Sequence, residues 1–282
     1  MGRASAHGKV ILAGEHFVVH GTAAIALPIA SLEVTVSIER SPGAWRVPAG
    51  VEEHLRACLE HLGETPEDLR AEVETSLPVG AGLGGSAALA VALVRALGDG
   101  VLDDREVRSK AHALEGIAHG SPSGIDDAVA ALGCPIFMSP VRTIEPLELS
   151  ESPPLWVAVS NEPSSTRDAV DRVRALMERD ASGFSSLRAR GAELVAQAHA
   201  ALLAADWSGL GEVMTENHAL LGELGVSTST LDALVGAARA AGAYGAKLTG
   251  AGLGGAVIAL APPGVDLTEA WHEAGATEVI AP

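Results

Sequence analysis

The chain has 282 residues, with 19 Lys plus Arg against 36 Asp plus Glu and a formal net charge of −17. Its apolar share of 48% and charged share of 20% are ordinary globular usage, which excludes a long disordered chain. The acidic balance disfavours nucleic acid and anionic membrane surfaces, both of which need a basic face. The length fits one or two domains. The longest apolar runs, Ala87–Val94 and Ala256–Pro263, fall well short of the roughly 18 residues that cross a bilayer. Lys9 and Glu15 interrupt the N-terminal apolar stretch, so no secretory leader is expected. Cys58 and Cys134 are the two cysteines. They lack zinc-type spacing and are expected as free thiols in a reducing cytoplasm.

From Ala4 to Glu39 the chain reads as strands at Val10–Leu12, Phe17–Val19 and Leu32–Ile38, punctuated by Gly14 and Gly21. Ser41–Gly50 is a loop or short edge strand. Val51–Leu62 has helical spacing, with Val51, Leu55, Cys58 and Leu62 on one face. Leu69–Leu77 alternates like a strand. A glycine-rich turn at Pro78–Gly85 leads into helices at Ser86–Leu97 and Asp103–Ala118. A loop at His119–Gly124 precedes a short helix at Ile125–Leu132, and Pro135–Met138 and Leu147–Leu149 look like strands. The polar, proline-rich stretch Ser150–Pro154 suggests a domain boundary. A strand at Leu155–Val159 follows, then helices at about Arg167–Arg179, Ser186–Ala205, Gly209–Leu221 and Thr228–Ala241. Strands at Tyr244–Leu248, Ala256–Ala261 and Thr277–Ile280 close an α+β pattern.

Four segments carry candidate chemistry. Pro78–Ala88 reads PVGAGLGGSAA and places glycines ahead of a helix. Glycine permits positive φ and close backbone approach. The helix start offers N–H groups and the positive end of its dipole, which is how an acidic chain can hold a phosphate. A tight turn with Ser86 as a plain N-cap accounts for the same residues. Leu89 stands where a capping box needs Glu or Gln. Gly80, Gly82 and Gly85 fit GxGxxG, as do Gly250, Gly252 and Gly255. Neither match has the strand–helix–strand context of a dinucleotide site.

In His119–Asp127, HGSPSGIDD, Asp126 lies just inside a helix. Ser123 and Asp126 have capping-box spacing, so Asp126 serves either the helix start or chemistry. With Glu115 upstream, two carboxylates suit a hard cation and base catalysis, and equally suit two solvated acids. Lys9 precedes an apolar strand and reads as solvent-facing. Yet the chain has only three lysines among its 19 cations, and lysine supplies a compact charge that arginine cannot. Lys247–Gly255, KLTGAGLGG, lies amid two strands and reads as a hairpin or bulge.

Together the segments make the chain similar to the GHMP small-molecule kinases and, within them, to the mevalonate-kinase branch. The resemblance rests on GKVILAGEHFVVHG at Gly8–Gly21, PVGAGLGGSAA at Pro78–Ala88, HGSPSGIDDAV at His119–Val129 and KLTGAGLGG at Lys247–Gly255. The helices from about Arg167 to Ala241 carry no diagnostic motif. The resemblance implies a two-domain α+β fold: a ribosomal-protein-like ATP-binding domain at 1–150 and a ferredoxin-like domain at 151–282. It assigns the ATP phosphates to Pro78, Gly80, Ala81, Gly82, Leu83, Gly84, Gly85, Ser86 and Ala87. It assigns Mg²⁺ to Ser86 and Glu115. Asp126 becomes the catalytic base toward the C5 hydroxyl of mevalonate, with Lys9 beside it. Glu15, His16, Thr166, Gly250 and Ala251, with Lys9 and Asp126, become substrate residues.

Two departures stand out: Gly85 replaces a Ser of many relatives, and Leu253 replaces a Gly. The expected enzyme is cytoplasmic, acts on a small molecule without nucleic acid or membrane, and leaves a homodimer open. Alternatives are another kinase of this family, acting on phosphomevalonate or a different alcohol, and a non-catalytic ligand sensor. A second substrate phosphate calls for cations that the motif regions lack. A sensor is expected to have lost Lys9, Glu115 or Asp126, and all three are present.

Overall fold

The computed structural model describes residues 2–98, 101–119 and 122–282. The chain forms two compact units. The first holds Met1–Lys9, Pro28–Leu77 and Gly84–Cys134; the second holds Val10–Leu27, Pro78–Leu83 and Pro135–Pro282. The units are interleaved in sequence, because the long strands β1 (Gly2–Ala13) and β2 (Ala24–Glu39) each give residues to both. The sequence reading instead divides the chain once, at 1–150 and 151–282.

In the first unit β2 runs antiparallel to β3 (Arg70–Thr75), with Val36 opposite Val73 and Ile38 opposite Ala71. Directly opposed residues share a face, so these four side chains form one apolar patch, and all are buried. Among the described residues, four α-helices complete the unit: α1 (Glu52–His61), α2 (Gly85–Leu97), α3 (Asp104–His119) and α4 (Ile125–Leu132). Every residue from Ala87 to Val94 of α2 is buried. A helix apolar on all sides must be enclosed by other elements, and α3 and α4 both pack against it. Leu55 and Cys58, the middle of the predicted α1 face, point inward. Gly120 and Ser121 of the predicted loop His119–Gly124 lie outside the described residues.

In the second unit the start of β2 pairs with β4 (Ile136–Met138), which pairs with β5 (Ile144–Pro146). A separate antiparallel sheet has the order β7-β8-β6-β9, formed by β6 (Leu155–Val159), β7 (Gly245–Thr249), β8 (Ala256–Leu260) and β9 (Glu278–Ile280). Helices α5 (Thr166–Arg179), α6 (Ala181–Leu203), α7 (Trp207–Glu223), α8 (Ser229–Ala240) and α9 (Thr268–Glu273) accompany it. Both α7 and α8 pack on β7, in a ferredoxin-like arrangement.

Three readings from sequence need correction. Phe17–His20 is a 3-10 turn, not a strand, closed by Gly21 at φ 82. Three consecutive apolar residues carry no period that separates the two conformations. The strand placed at Leu147–Leu149 lies earlier, at Ile144–Pro146. The short helix α9 went unread. Its one buried residue is Trp271, whose indole N–H donates to Leu234 O at 2.9 Å. Trp271→Phe removes that bond and leaves space unfilled, which should cost roughly 2 kcal/mol in urea unfolding. A change within about 0.5 kcal/mol, the range of ordinary surface substitutions, would contradict this anchoring role.

Candidate active site

In the first unit the site is built around Lys9. Its side chain is 4% exposed, and its ammonium lies 3.0 Å from Asp126 Oδ2, whose side chain is 30% exposed. The pair is one-sided: the cation is sealed in and the carboxylate opens outward. Lys9 fits because Gly84 has no side chain. A Cβ there would lie 2.8 Å from Lys9 Cγ, and Gly84 also holds φ 80, which glycine adopts without strain.

Gly84 is the N-cap of α2 and supplies no side-chain cap. Ser86 is therefore not the cap but the second helical residue, and its hydroxyl bonds Glu115 instead. The first intrahelical bond of α2 runs from Ala88 N–H to Gly84 O. The amides of Gly85, Ser86 and Ala87 precede it at the positive end of the helix dipole, a setting that suits an anion. Asp126 is likewise second in α4, behind Gly124 at φ 85. The Ser123–Asp126 capping box does not form, since the Asp126 carboxylate goes to Lys9 and the Ser123 hydroxyl accepts from Ile125 N–H at 3.3 Å.

Glu115, from α3, is buried. Burial pushes its carboxyl up to about 8, the negative charge of Asp126 adds to the rise, and the Ser86 bond opposes it. Asp127 is buried too and raised by that burial, while His112, 3.2 Å away and one helical turn before Glu115, opposes the rise. Among the described residues no three of His, Cys, Asp and Glu converge on a common point. The donors that do meet, the Ser86 hydroxyl and the Glu115 carboxyl, are oxygens beside the negative charge of Asp126. That chemistry fits a hard divalent cation, which takes only one or two protein ligands when phosphates supply others.

In the second unit Lys247 and Glu15 form a buried ion pair, and Lys247 also donates to Ile11 O at 3.3 Å. Thr249, two residues along β7, accepts from Ile11 N–H at 2.8 Å and donates to Ile11 O at 3.1 Å. Glu15, expected at the substrate, is thus committed to the interior. His16 beside it holds φ 61 and ψ −43, the centre of a strained γ-turn closed by Phe17 N–H donating to Glu15 O at 2.6 Å. Its Nε2 lies 2.8 Å from Ala251 O. Burial lowers the His16 pKa to about 4, so the ring is neutral at pH 7. Nε2 must then carry the proton given to the carbonyl, which leaves Nδ1 as an acceptor.

Gly250 and Ala251 begin the loop after β7. Its Leu253 sits at φ 54, a backbone that glycine adopts more readily, and its side chain packs on the core. The loop is held by residues that the sequence reading missed. Ser164 donates its hydroxyl to Gly252 O at 3.1 Å and its N–H to Gly80 O at 2.9 Å. Glu162 accepts from the Thr228 and Thr230 hydroxyls, each at 2.9 Å. None of these residues falls in a motif with a recognisable spacing. Thr166 is exposed, as the first residue of α5 behind the Ser165 cap.

Two expectations follow. Because the folded-state pKa of Glu115 is raised, stability should fall as pH climbs from about 4.5 toward about 8. Glu115→Gln should abolish that component, giving flatter thermal melts than wild type over this window without added metal. Parallel profiles would contradict the buried, protonated carboxyl. Lys247→Met strands the Glu15 charge and should cost roughly 3–5 kcal/mol. Glu15→Gln/Lys247→Met should recover most of that loss in urea unfolding, whereas an equal loss in the double variant would contradict a paired role.

Comparison with known proteins bears on the family and the fold. The model for the GHMP kinases N terminal domain matches residues 50–133, and that for the GHMP kinases C terminal matches 198–278. The chain is 35% identical to the mevalonate kinase of Pyrococcus horikoshii, over 92% of this chain and 88% of that one. Identity to the mevalonate kinase of Aeropyrum pernix is 37%, over 92% and 88% respectively. The crystal structure of L. major mevalonate kinase in complex with R-mevalonate is similar at a TM-score of 0.86 and 30% identity, covering 100% of this chain and 95% of that one. With motifs, fold and relatives of this identity in agreement, the chain belongs to the GHMP kinase family.

Proposed function

We propose that the chain transfers the γ-phosphoryl group of ATP to the C5 hydroxyl of mevalonate, giving 5-phosphomevalonate and ADP, a step toward isoprenoid precursors. The observation that carries the reading is the Lys9–Asp126 pair, sealed on the lysine side and open on the carboxylate side, in the same unit as the amide-rich start of α2. The choice of acceptor rests on the relatives named as mevalonate kinases and on the R-mevalonate in the L. major complex. Family-model matches at 50–133 and 198–278 support an ATP-binding part within 1–150 and a C-terminal part within 151–282. Free thiols at Cys58 and Cys134 support a reducing, cytoplasmic setting.

Phosphoryl transfer asks a protein mainly for positioning and charge neutralisation. In this reading the glycine-rich segment and the first amides of α2 hold the phosphates. Asp126 accepts the proton of the C5 hydroxyl as its oxygen bonds to phosphorus and the bond to ADP breaks. Lys9 keeps Asp126 in place and offsets charge on the transferring group. Ser86 and Glu115 would hold Mg²⁺, which supplies charge neutralisation on the phosphates when bound. His16 presents an acceptor nitrogen and so suits a substrate hydroxyl better than a carboxylate. Glu15 serves through Lys247 as a positioning residue.

Purified protein with MgATP should release ADP with mevalonate, and not with phosphomevalonate, homoserine or galactose. ADP release with another member of that panel, and none with mevalonate, would overturn the acceptor. Asp126→Asn should cut turnover by about two orders of magnitude or more while keeping the fold. Lys9→Arg should also fold and lose most turnover, because a planar guanidinium cannot occupy a point-charge site walled by Gly84. Near-normal rates in both variants would remove the mechanism. Ser86→Ala and Glu115→Gln should each raise the Mg²⁺ concentration needed for half-maximal rate; an unchanged requirement in both would remove the metal assignment.

A further inference from the structure

His16 keeps a backbone conformation that costs free energy, of order 1–3 kcal/mol for a non-glycine residue, and it persists only where its surroundings over-determine it. One constraint comes from the residue before it, since the Glu15 side chain is tied to Lys247. The other comes from the residue after it. Phe17 is 2% exposed and points into the second unit against α6. At that place α6 has Gly191. A Cβ on Gly191 would lie 2.7 Å from Phe17 Cδ2 and 3.0 Å from Cε2, distances that no packed ring tolerates. On the same helix face the ring also meets Phe184, with centroids 5.9 Å apart.

Phe184, Arg188 and Gly191 recur at helical spacing and make one face of α6. All three meet the turn that follows His16. Phe184 also receives the His20 ring edge-on at 5.1 Å, and Arg188 donates to His20 O at 3.2 Å. This face lies in a stretch of sequence with no motif.

We infer that Phe17 and Gly191 form a knob and notch that hold His16 in its strained conformation, making Gly191 a positioning residue for substrate recognition. The inference rests on the proposed acceptor for its kinetic readout and on the geometry alone for its spectroscopic one. A methyl at 191 displaces Phe17, and the displacement passes through one peptide unit to His16. The His16 ring then leaves Ala251 O and gains solvent. The Lys9–Asp126 pair belongs to the other unit.

The test uses three variants of the full chain: Gly191→Ala, Phe17→Leu and Phe17→Leu/Gly191→Ala, in which a smaller side chain makes room for the added methyl. The first readout is the imidazole titration of His16 by NMR, assigned with His16→Gln. Wild type should titrate near 4, Gly191→Ala closer to the ordinary 6.5, and the double variant back toward wild type. The second readout is steady-state kinetics. Gly191→Ala should raise KM for mevalonate tenfold or more, since a displacement of about 1 Å is enough for such losses. KM for ATP should stay within about twofold, and the double variant should return KM for mevalonate to within about threefold of wild type.

A Gly191→Ala protein that melts earlier but keeps both the His16 titration and the KM would reduce Gly191 to packing and overturn the inference. So would a double variant as impaired as Gly191→Ala. A wild-type protein inert toward mevalonate would count against the proposed acceptor, and the titration, which needs no substrate, would still decide the role of Gly191.

Discussion

A lysine ammonium that is almost wholly removed from water needs a counter-charge, and for Lys9 that is Asp126. Much of the first unit serves this one pairing. Gly84 leaves the room that the lysine stem fills, and it begins α2 without a side-chain cap at the positive end of the helix dipole. Gly124 turns the chain so that Asp126 enters α4 within its first turn, where a carboxylate is favoured by the helix dipole. The enclosed helix α2 holds Ser86 within hydrogen-bonding reach of Glu115 on α3. Asp126 therefore does not cap its helix. Its charge is committed to Lys9, and its remaining exposure faces outward.

The acidity of the chain gives this pairing its significance. With a formal net charge of −17, cations are scarce, and all but three of the 19 are arginine. Of the three lysines, Lys110 is exposed while Lys9 and Lys247 are buried beside carboxylates. Lysine is used where one compact charge must fit a closed space. The two buried pairs differ in what they leave over. Lys247 and Glu15 are both enclosed, so that pair fixes structure beside His16. Lys9 is enclosed and Asp126 is not, so that pair can meet a substrate.

The sequence marked the residues that the first unit brings together, because their signals are local. Glycines ahead of an apolar helix, a lysine before a strand and an acid at a helix start each have a short-range physical meaning. Helices α1 to α8 were placed to within a few residues, except that α6 begins five residues before its predicted start, and the strands β6, β7 and β8 were placed equally well. What could not be read was long-range. Nothing near Lys247 points to Glu15, and nothing in α6 marks Gly191 as the seat of Phe17. The 3-10 turn at Phe17–His20 was misread for the same reason, since tertiary packing and not period decides its backbone. The Ser86 hydroxyl looked like a cap until Glu115, distant in sequence, claimed it.

If Lys9 and Asp126 act as one unit, removing the second partner after the first should cost little more. The direct measurement is a double-mutant cycle in kcat/KM for mevalonate, using Lys9→Met, Asp126→Asn and the combined variant, with each fold checked by thermal melting. The account predicts a combined loss close to that of the more damaging single change. Losses that multiply across the two variants would mean that the residues act independently, and would contradict the sealed pair as the centre of the site.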